Sequence, residues 1–219
     1  MTAPAVLDKS GILARVRAGA VVTLELGVGG HKRHAEAVGV DMRDLEGVDL
    51  VGDIFDVLAE FPDASVEAVY SYHFAEHLPD LARLVLEVRR ILRPGGLMRT
   101  VTPHFSNPYY YSDWTHKSAF GLYTFSYLAE DPLFRRVVPK YLGDTGLVLQ
   151  DVRLGFKSTP PFYLRHAFRK ALGLWVNASR LTQELYEAGW TGWFPCHEVT
   201  YDVVRRPDGS ASPGGAVRS

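Results

Sequence analysis

One stretch constrains the fold more than any other. Val21-Val22-Thr23-Leu24-Glu25-Leu26 is a β-branched, apolar run that stops in Gly27-Val28-Gly29-Gly30. It reads as a buried strand feeding a glycine turn, where backbone can approach a ligand and adopt positive φ. Just downstream, Val38-Gly39-Val40-Asp41 is a second short apolar run ending in a carboxylate, placed where a ribose diol is gripped by charge-assisted hydrogen bonds. The two stretches together point to an adenosine-containing cofactor.

Between them lie only residues 30–37, too few for a full βαβ crossover, so the first crossover helix is expected to be truncated. Residues 1–20 supply a short helix beside the first strand. Val48 to Ile54 is a brief strand stopping at Asp53, with Phe55 to Phe61 as a connector, and Val66 to Tyr72 is a strand. Pro79 to Leu92 carries an apolar stripe at helical spacing, ended by Pro94-Gly95-Gly96. Leu97 to Thr102 returns as a strand. The alternation predicts a doubly wound α/β fold, a mostly parallel seven-stranded sheet covered on both faces, with ligands at the strands' carboxyl ends.

Beyond Phe105 the pattern loosens. Asn107 to Lys117 is an aromatic, polar loop; a helix is expected within Thr124 to Leu142, a strand at Leu147 to Leu154, a helical insertion over about 158–194 and a last strand at Glu198 to Val204. Residues 1–207 are expected to form a single domain, with a disordered tail over 208–219 made of Gly, Ser, Pro and Ala.

The whole composition narrows the partners. With 24 Lys and Arg against 25 Asp and Glu, no net field favours nucleic acid or an anionic membrane. One cysteine forbids an internal disulfide or a CxxC metal cluster, and no apolar run reaches the ~18 residues of a membrane span. A cytoplasmic location is expected.

These residues resemble the class I S-adenosylmethionine-dependent methyltransferases, within them the small bacterial enzymes of polysaccharide or natural-product modification. The likeness runs through Leu24-Glu25-Leu26-Gly27-Val28-Gly29, Val40-Asp41, Gly52-Asp53-Ile54, and Ser71-Tyr72-His73-Phe74-Ala75-Glu76-His77-Leu78 followed by Leu92-Arg93-Pro94-Gly95-Gly96. It implies S-adenosylmethionine as cofactor. Gly27 and Gly29 would meet its amino acid end, Glu25 its ammonium, Asp41 its ribose, and Asp53 with Ile54 its adenine, while Met42, Ser71 and His73 would also bind the cofactor. His77 is implied to be a packing residue.

Methyl transfer from a sulfonium is an in-line displacement, so the protein aligns a nucleophile and removes its proton. A hydroxyl acceptor needs a base. His104, ending a strand at the ligand edge, and His116, in the aromatic loop beside Asp113, are the candidates. The Asn or Asp-Pro-Pro-Tyr element expected for amide or amine methylation is missing, which favours oxygen. Tyr109, Tyr110 and Trp114 could stack on sugar rings and Lys117 could bond a hydroxyl, making a sugar or glycan the favoured acceptor; natural products and phenols are alternatives. His104, Asp113 and His116 also offer donors for a divalent metal, which the sequence allows without requiring. Arg165-His166 and Arg169-Lys170 could meet an anionic acceptor or a membrane-associated carrier, or form the wet face of a helix, and the insertion offers a surface for a partner copy. A nicotinamide-dependent oxidoreductase shares the glycine turn and acid but wants a fuller helix after them; a non-catalytic partner retaining the fold is the other alternative.

Overall fold

The computed structural model describes residues 6–158 and 161–209. Eight strands form one sheet: β1 (Val6–Asp8), β2 (Val22–Leu26), β3 (Val38–Asp41), β4 (Leu50–Gly52), β5 (Val66–Tyr72), β6 (Leu92–Pro103), β7 (Leu147–Gly155) and β8 (Glu198–Arg205), in the order β1-β4-β3-β2-β5-β6-β8-β7. β4, β3, β2, β5 and β6 are parallel, winding outward in both directions from β2. β1, β7 and β8 add antiparallel pairs at the margins. The strand beyond the expected seven is β1, three residues long and too short to show a period.

Among the described residues five α-helices accompany the sheet: α1 (Ile12–Arg17), α2 (Ile54–Ala59), α3 (Leu81–Ile91), α4 (Tyr163–Val176) and α5 (Arg180–Gly189). α3 forms for the reasons its sequence suggests. Asp80 caps it by accepting the Arg83 N–H at 2.8 Å, and Leu84, Val85, Val88 and Ile91 are fully buried against the sheet. The Phe55 to Phe61 connector is the helix α2, capped by Asp53, which accepts the Phe55 N–H at 2.9 Å. The helix expected within Thr124 to Leu142 is reduced to a 3-10 turn at Thr124–Tyr127, because Pro132 and Pro139 break the hydrogen-bond ladder of the rest. The insertion is helical as expected. The tail past Gly209 lies outside the described residues. Gly96 is dictated by close approach: a Cβ there would stand 2.9 Å from the Glu67 carbonyl oxygen across the irregular β5–β6 pairing.

The first crossover contains no helix at all. In its place, Glu25 on β2 accepts backbone N–H bonds from Arg33 (3.0 Å) and His34 (2.8 Å), fastening the turn to the sheet. The His34 ring stacks on Tyr70 with 3.8 Å between centroids, and the Arg33 guanidinium lies over Tyr72.

That loss has a consequence for layering. Buried residues of α1, α2, α3 and α5 join a single core with Leu24, Val69, Met98, Tyr201 and Val152 from one side of the sheet. The opposite side carries the cross-strand row Glu25, Tyr70, Arg99, Asp202 and Asp151. Cover on both faces was expected; here the second face is polar and half-exposed, with the Arg33–His34 stack over part of it. Arg99 holds Asp202 through two 2.6 Å bonds, and that pairing keeps the guanidinium's pKa above its ordinary value.

Candidate active site

A cavity of about 330 Å³ opens at the carboxyl ends of β2, β3, β4 and β5. It is lined by Gly27, Gly29, Asp41, Met42, Asp53, Ile54 and His73 among the residues expected at a cofactor, together with Val40, Arg43, Phe74, His77 and Leu78. Two larger concavities, of about 560 and 630 Å³, contain none of the expected site residues.

Asp41 has a nearly buried side chain whose Oδ2 accepts the Gly29 N–H and whose Oδ1 accepts the Arg43 N–H, each at 2.9 Å. A carboxylate has about four acceptor positions, so one on each oxygen is left for a diol. Asp53 spends Oδ1 on capping α2 and keeps Oδ2, with Ile54 beside it in the cavity wall. These donors and acceptors fit the ribose and adenine of an adenosyl group.

The other end of the pocket departs from expectation. Glu25 does not line the cavity: it is 2% exposed and its carboxylate is occupied by the Arg33 and His34 N–H groups, so it orders the turn instead of reaching a ligand's ammonium. Gly27, at φ +67°, frees space that Phe74 fills, since a Cβ there would lie 2.3 Å from the phenyl ring. Ser71 is fully buried within β5, away from the cavity. His73 adopts φ +53°, a strained conformation for a residue with a side chain, at the end of β5. Its Nδ1 lies 3.6 Å from Glu76 Oε1 and its Nε2 lies 3.8 Å from Glu198 Oε2.

His104 is not available as a base or metal ligand. The imidazole is fully buried; Nδ1 accepts the Ser106 N–H at 3.1 Å, which leaves the proton on Nε2, donated to Glu187 at 3.0 Å. Both nitrogens are used, and the side chain ties the end of β6 to α5. Its position at a strand end was correct, but a strand residue's side points to either face and the sequence does not mark this one as the buried side.

His116 fits the chemistry better. Its Nδ1 lies 2.9 Å from the Tyr110 carbonyl, which can only accept, so Nδ1 carries the proton and Nε2 holds the lone pair. Asp113 Oδ2 stands 3.6 Å from that Nε2. Asp113 also accepts from the Thr115 hydroxyl (2.6 Å) and N–H (2.9 Å), which hold its carboxyl below the ordinary range. Having donated its proton to Asp113, the Thr115 hydroxyl accepts from His77 Nδ1 at 2.9 Å. The rings of His77 and His116 are 5.0 Å apart. His77, read from the family likeness as packing, joins this cluster and lines the cavity that holds Asp41 and Asp53.

Of the expected acceptor contacts, Tyr110 packs on His116 with 4.7 Å between centroids, while Trp114 and Lys117 are solvent-exposed. Tyr109 faces a separate cavity of about 280 Å³, lined also by Asn107, Lys157, Arg165, His166, Arg169 and His197. Burial holds the His197 imidazole below its ordinary pKa. Glu198 bridges the two cavities, pairing with Lys157 on one side and approaching His73 on the other.

A nucleotide-type cavity at the carboxyl edge of a sheet wound outward from β2, with an acid ending each of the next two strands, defines a Rossmann-like methyltransferase fold. Known proteins agree. Residues 17–100 match the profile of the methyltransferase domain family. A Mycolicibacterium smegmatis protein named "Probable S-adenosylmethionine-dependent methyltransferase" is 49% identical over 49 residues, 22% of this chain and 19% of that protein. A Mycobacterium tuberculosis protein of the same designation is also 49% identical over 49 residues. The chain therefore spans about a fifth of the curated relatives it matches. A structure of a SAM-dependent methyltransferase from Archaeoglobus fulgidus superposes with TM-score 0.53 at 18% identity, over 88% of this chain and 92% of that one. The Bacillus subtilis YcgJ protein superposes with TM-score 0.50 at 16% identity, over 90% and 97%. Residues 17–100 thus carry the likeness to the methyltransferase domain family, on a Rossmann-like methyltransferase fold, and the relatives that align with this stretch are named for S-adenosylmethionine.

Proposed function

We propose that this protein transfers a methyl group from S-adenosylmethionine to a hydroxyl of a small polar acceptor, with a sugar or glycan favoured. The observation that carries this reading is the His116 imidazole, held as the Nδ1–H tautomer by Tyr110, in a polar cluster that adjoins the cavity containing Asp41 and Asp53. When bound, the cofactor supplies an electrophilic methyl on a sulfonium that departs as a neutral thioether. Asp41 holds the ribose, Asp53 the adenine amine and Ile54 a face of the ring. His116 Nε2 takes the acceptor's proton, and Asp113 steadies the imidazolium that results. Tyr110 and Trp114 offer faces to a sugar ring, and Lys117 a donor.

The basic cavity around Lys157, Arg165 and Arg169 supports an acceptor that also bears an anionic group. The test is radiolabelled methyl transfer from S-adenosylmethionine to a panel of free sugars, sugar phosphates, phenols and amines, alongside calorimetric titration with S-adenosylhomocysteine and with NAD. Methylation of a sugar hydroxyl with S-adenosylhomocysteine binding is expected. Methylation confined to amines would overturn the oxygen assignment, and binding of NAD alone would overturn the cofactor.

A further inference from the structure

We propose that Glu76, His77 and His116 form a binding site for a divalent transition-metal ion at the edge of the cofactor cavity. One donor atom from each lies within 4.8 Å of the others, and among the described residues this is the one such group of three.

The strongest indication is Glu76. Its side chain is 1% exposed, and among the described residues neither Oε1 nor Oε2 has a hydrogen-bond partner. A buried carboxylate left so is costly, and the nearest cationic candidate, His73 Nδ1 at 3.6 Å, is beyond hydrogen-bond distance and shared with Glu198. A cation held between Glu76 and the two imidazoles removes that cost.

The imidazoles are prepared independently. The Tyr110 carbonyl and the Thr115 hydroxyl, itself committed to Asp113, place the proton of His116 and of His77 on Nδ1. Each ring then presents Nε2 as its lone-pair nitrogen, the outer-sphere arrangement that orients metal-binding histidines. The two segments are also locked together, because the Glu76 carbonyl accepts the Lys117 N–H at 2.7 Å and the Ser118 N–H at 3.2 Å. Two imidazoles and one carboxylate suit zinc, iron, cobalt, nickel or manganese better than magnesium or calcium, which prefer all-oxygen sites.

An ion there would polarise an acceptor oxygen, a use that rests on the hydroxyl-transfer reading; the ion site itself does not. With the ion bound, the His116 lone pair is spent on it and polarisation of the acceptor hydroxyl by the ion takes the place of the base; the base role of His116 belongs to the ion-free protein. Metal-stripped protein titrated with Co²⁺ should develop visible d–d absorption that saturates at one equivalent. Glu76→Gln and His116→Ala should each weaken Co²⁺ binding at least tenfold, and Thr115→Val by roughly 10- to 100-fold through loss of ring orientation. His31→Ala, outside the cluster, should change nothing. Circular dichroism establishes that each variant is folded; if His116→Ala unfolds, the near-isosteric Glu76→Gln decides. Absence of the band, or Co²⁺ binding by folded Glu76→Gln as tight as wild type, overturns the proposal. Titration with S-adenosylhomocysteine in parallel separates the two readings: its failure with the Co²⁺ site intact sinks the methyltransferase reading alone, and the reverse sinks the ion site alone.

Discussion

Glu187 on α5 receives the Nε2 proton of His104 through one oxygen and the Leu122 N–H through the other, at 3.0 and 2.8 Å, so the insertion is bolted to the end of β6. His104→Ala should therefore act on stability. Leaving the Glu187 carboxylate short of a buried partner costs about 1–3 kcal/mol. A lower melting temperature is expected, with turnover per folded molecule within a few fold of wild type; a loss of about 10² or more in turnover, the scale of a missing general base, would reinstate His104 as catalytic.

Asp41→Ala should weaken S-adenosylhomocysteine binding at least tenfold, since each charge-assisted bond to a hydroxyl is worth roughly 1.5–3 kcal/mol. Part of that loss comes from freeing the Gly29 N–H that Asp41 now accepts. Asp41→Asn, which retains an acceptor, should fall between. Calorimetric titration of the folded variants is the check, and wild-type affinity in Asp41→Ala would misassign the pocket.

His73 sits at φ +53°, where a β-branched side chain is strained most. His73→Val should lower stability by roughly 1–2 kcal/mol relative to His73→Gly, which takes that conformation freely. Both should impair ligand binding if the imidazole contributes contacts in the cavity. Equal stabilities in urea unfolding would show that the backbone relaxes without cost.

Glu25→Ala removes the acceptor for the Arg33 and His34 N–H groups. Those two amides should exchange with deuterium much faster while the core amides of α3 stay protected. Uniformly faster exchange would mean that Glu25 supports the whole fold and not this turn.

Acid should destabilise the protein partly through Asp49. Burial raises its pKa, but bonds from Lys32 and the Gly39 N–H outweigh that and leave it below its ordinary 3.8. The folded state keeps the charge to lower pH than the unfolded chain, so the contribution is full above that value and is lost as pH falls through the folded pKa. The stability gap between wild type and Asp49→Asn should narrow from neutral pH towards about pH 3 in urea titrations. A gap independent of pH would remove Asp49 from the account.

The cavity proposed for the adenosyl group was legible because its determinants are local: a glycine turn and acids at strand ends occupy fixed offsets, and Gly29, Asp41 and Asp53 share one cavity. The proposed catalytic cluster was only partly legible. Glu76 and His77 meet His116 from 40 and 39 positions away in the chain, through carbonyl and hydroxyl contacts that spacing does not encode. The place of Glu25 was hidden for a related reason, since the motif alone does not say that the turn replacing the crossover helix claims its carboxylate through the Arg33 and His34 N–H groups. A helix was expected within Thr124 to Leu142, and the two prolines of that stretch are the signal against it.

The half-covered sheet changes what its parallel strands have to encode. Strands buried on both faces tolerate sliding past one another by one residue, because apolar side chains point both ways. Here such a slide of β5 against β2 would exchange Val69 for Tyr70, turning an apolar set to water and a polar row into the core. The alternation in Glu198-Val199-Thr200-Tyr201-Asp202-Val203 imposes the same discipline on β8. Removing a helix from one side thus gives the chain a proofreading signal for strand alignment of the kind that amphipathic antiparallel ribbons use.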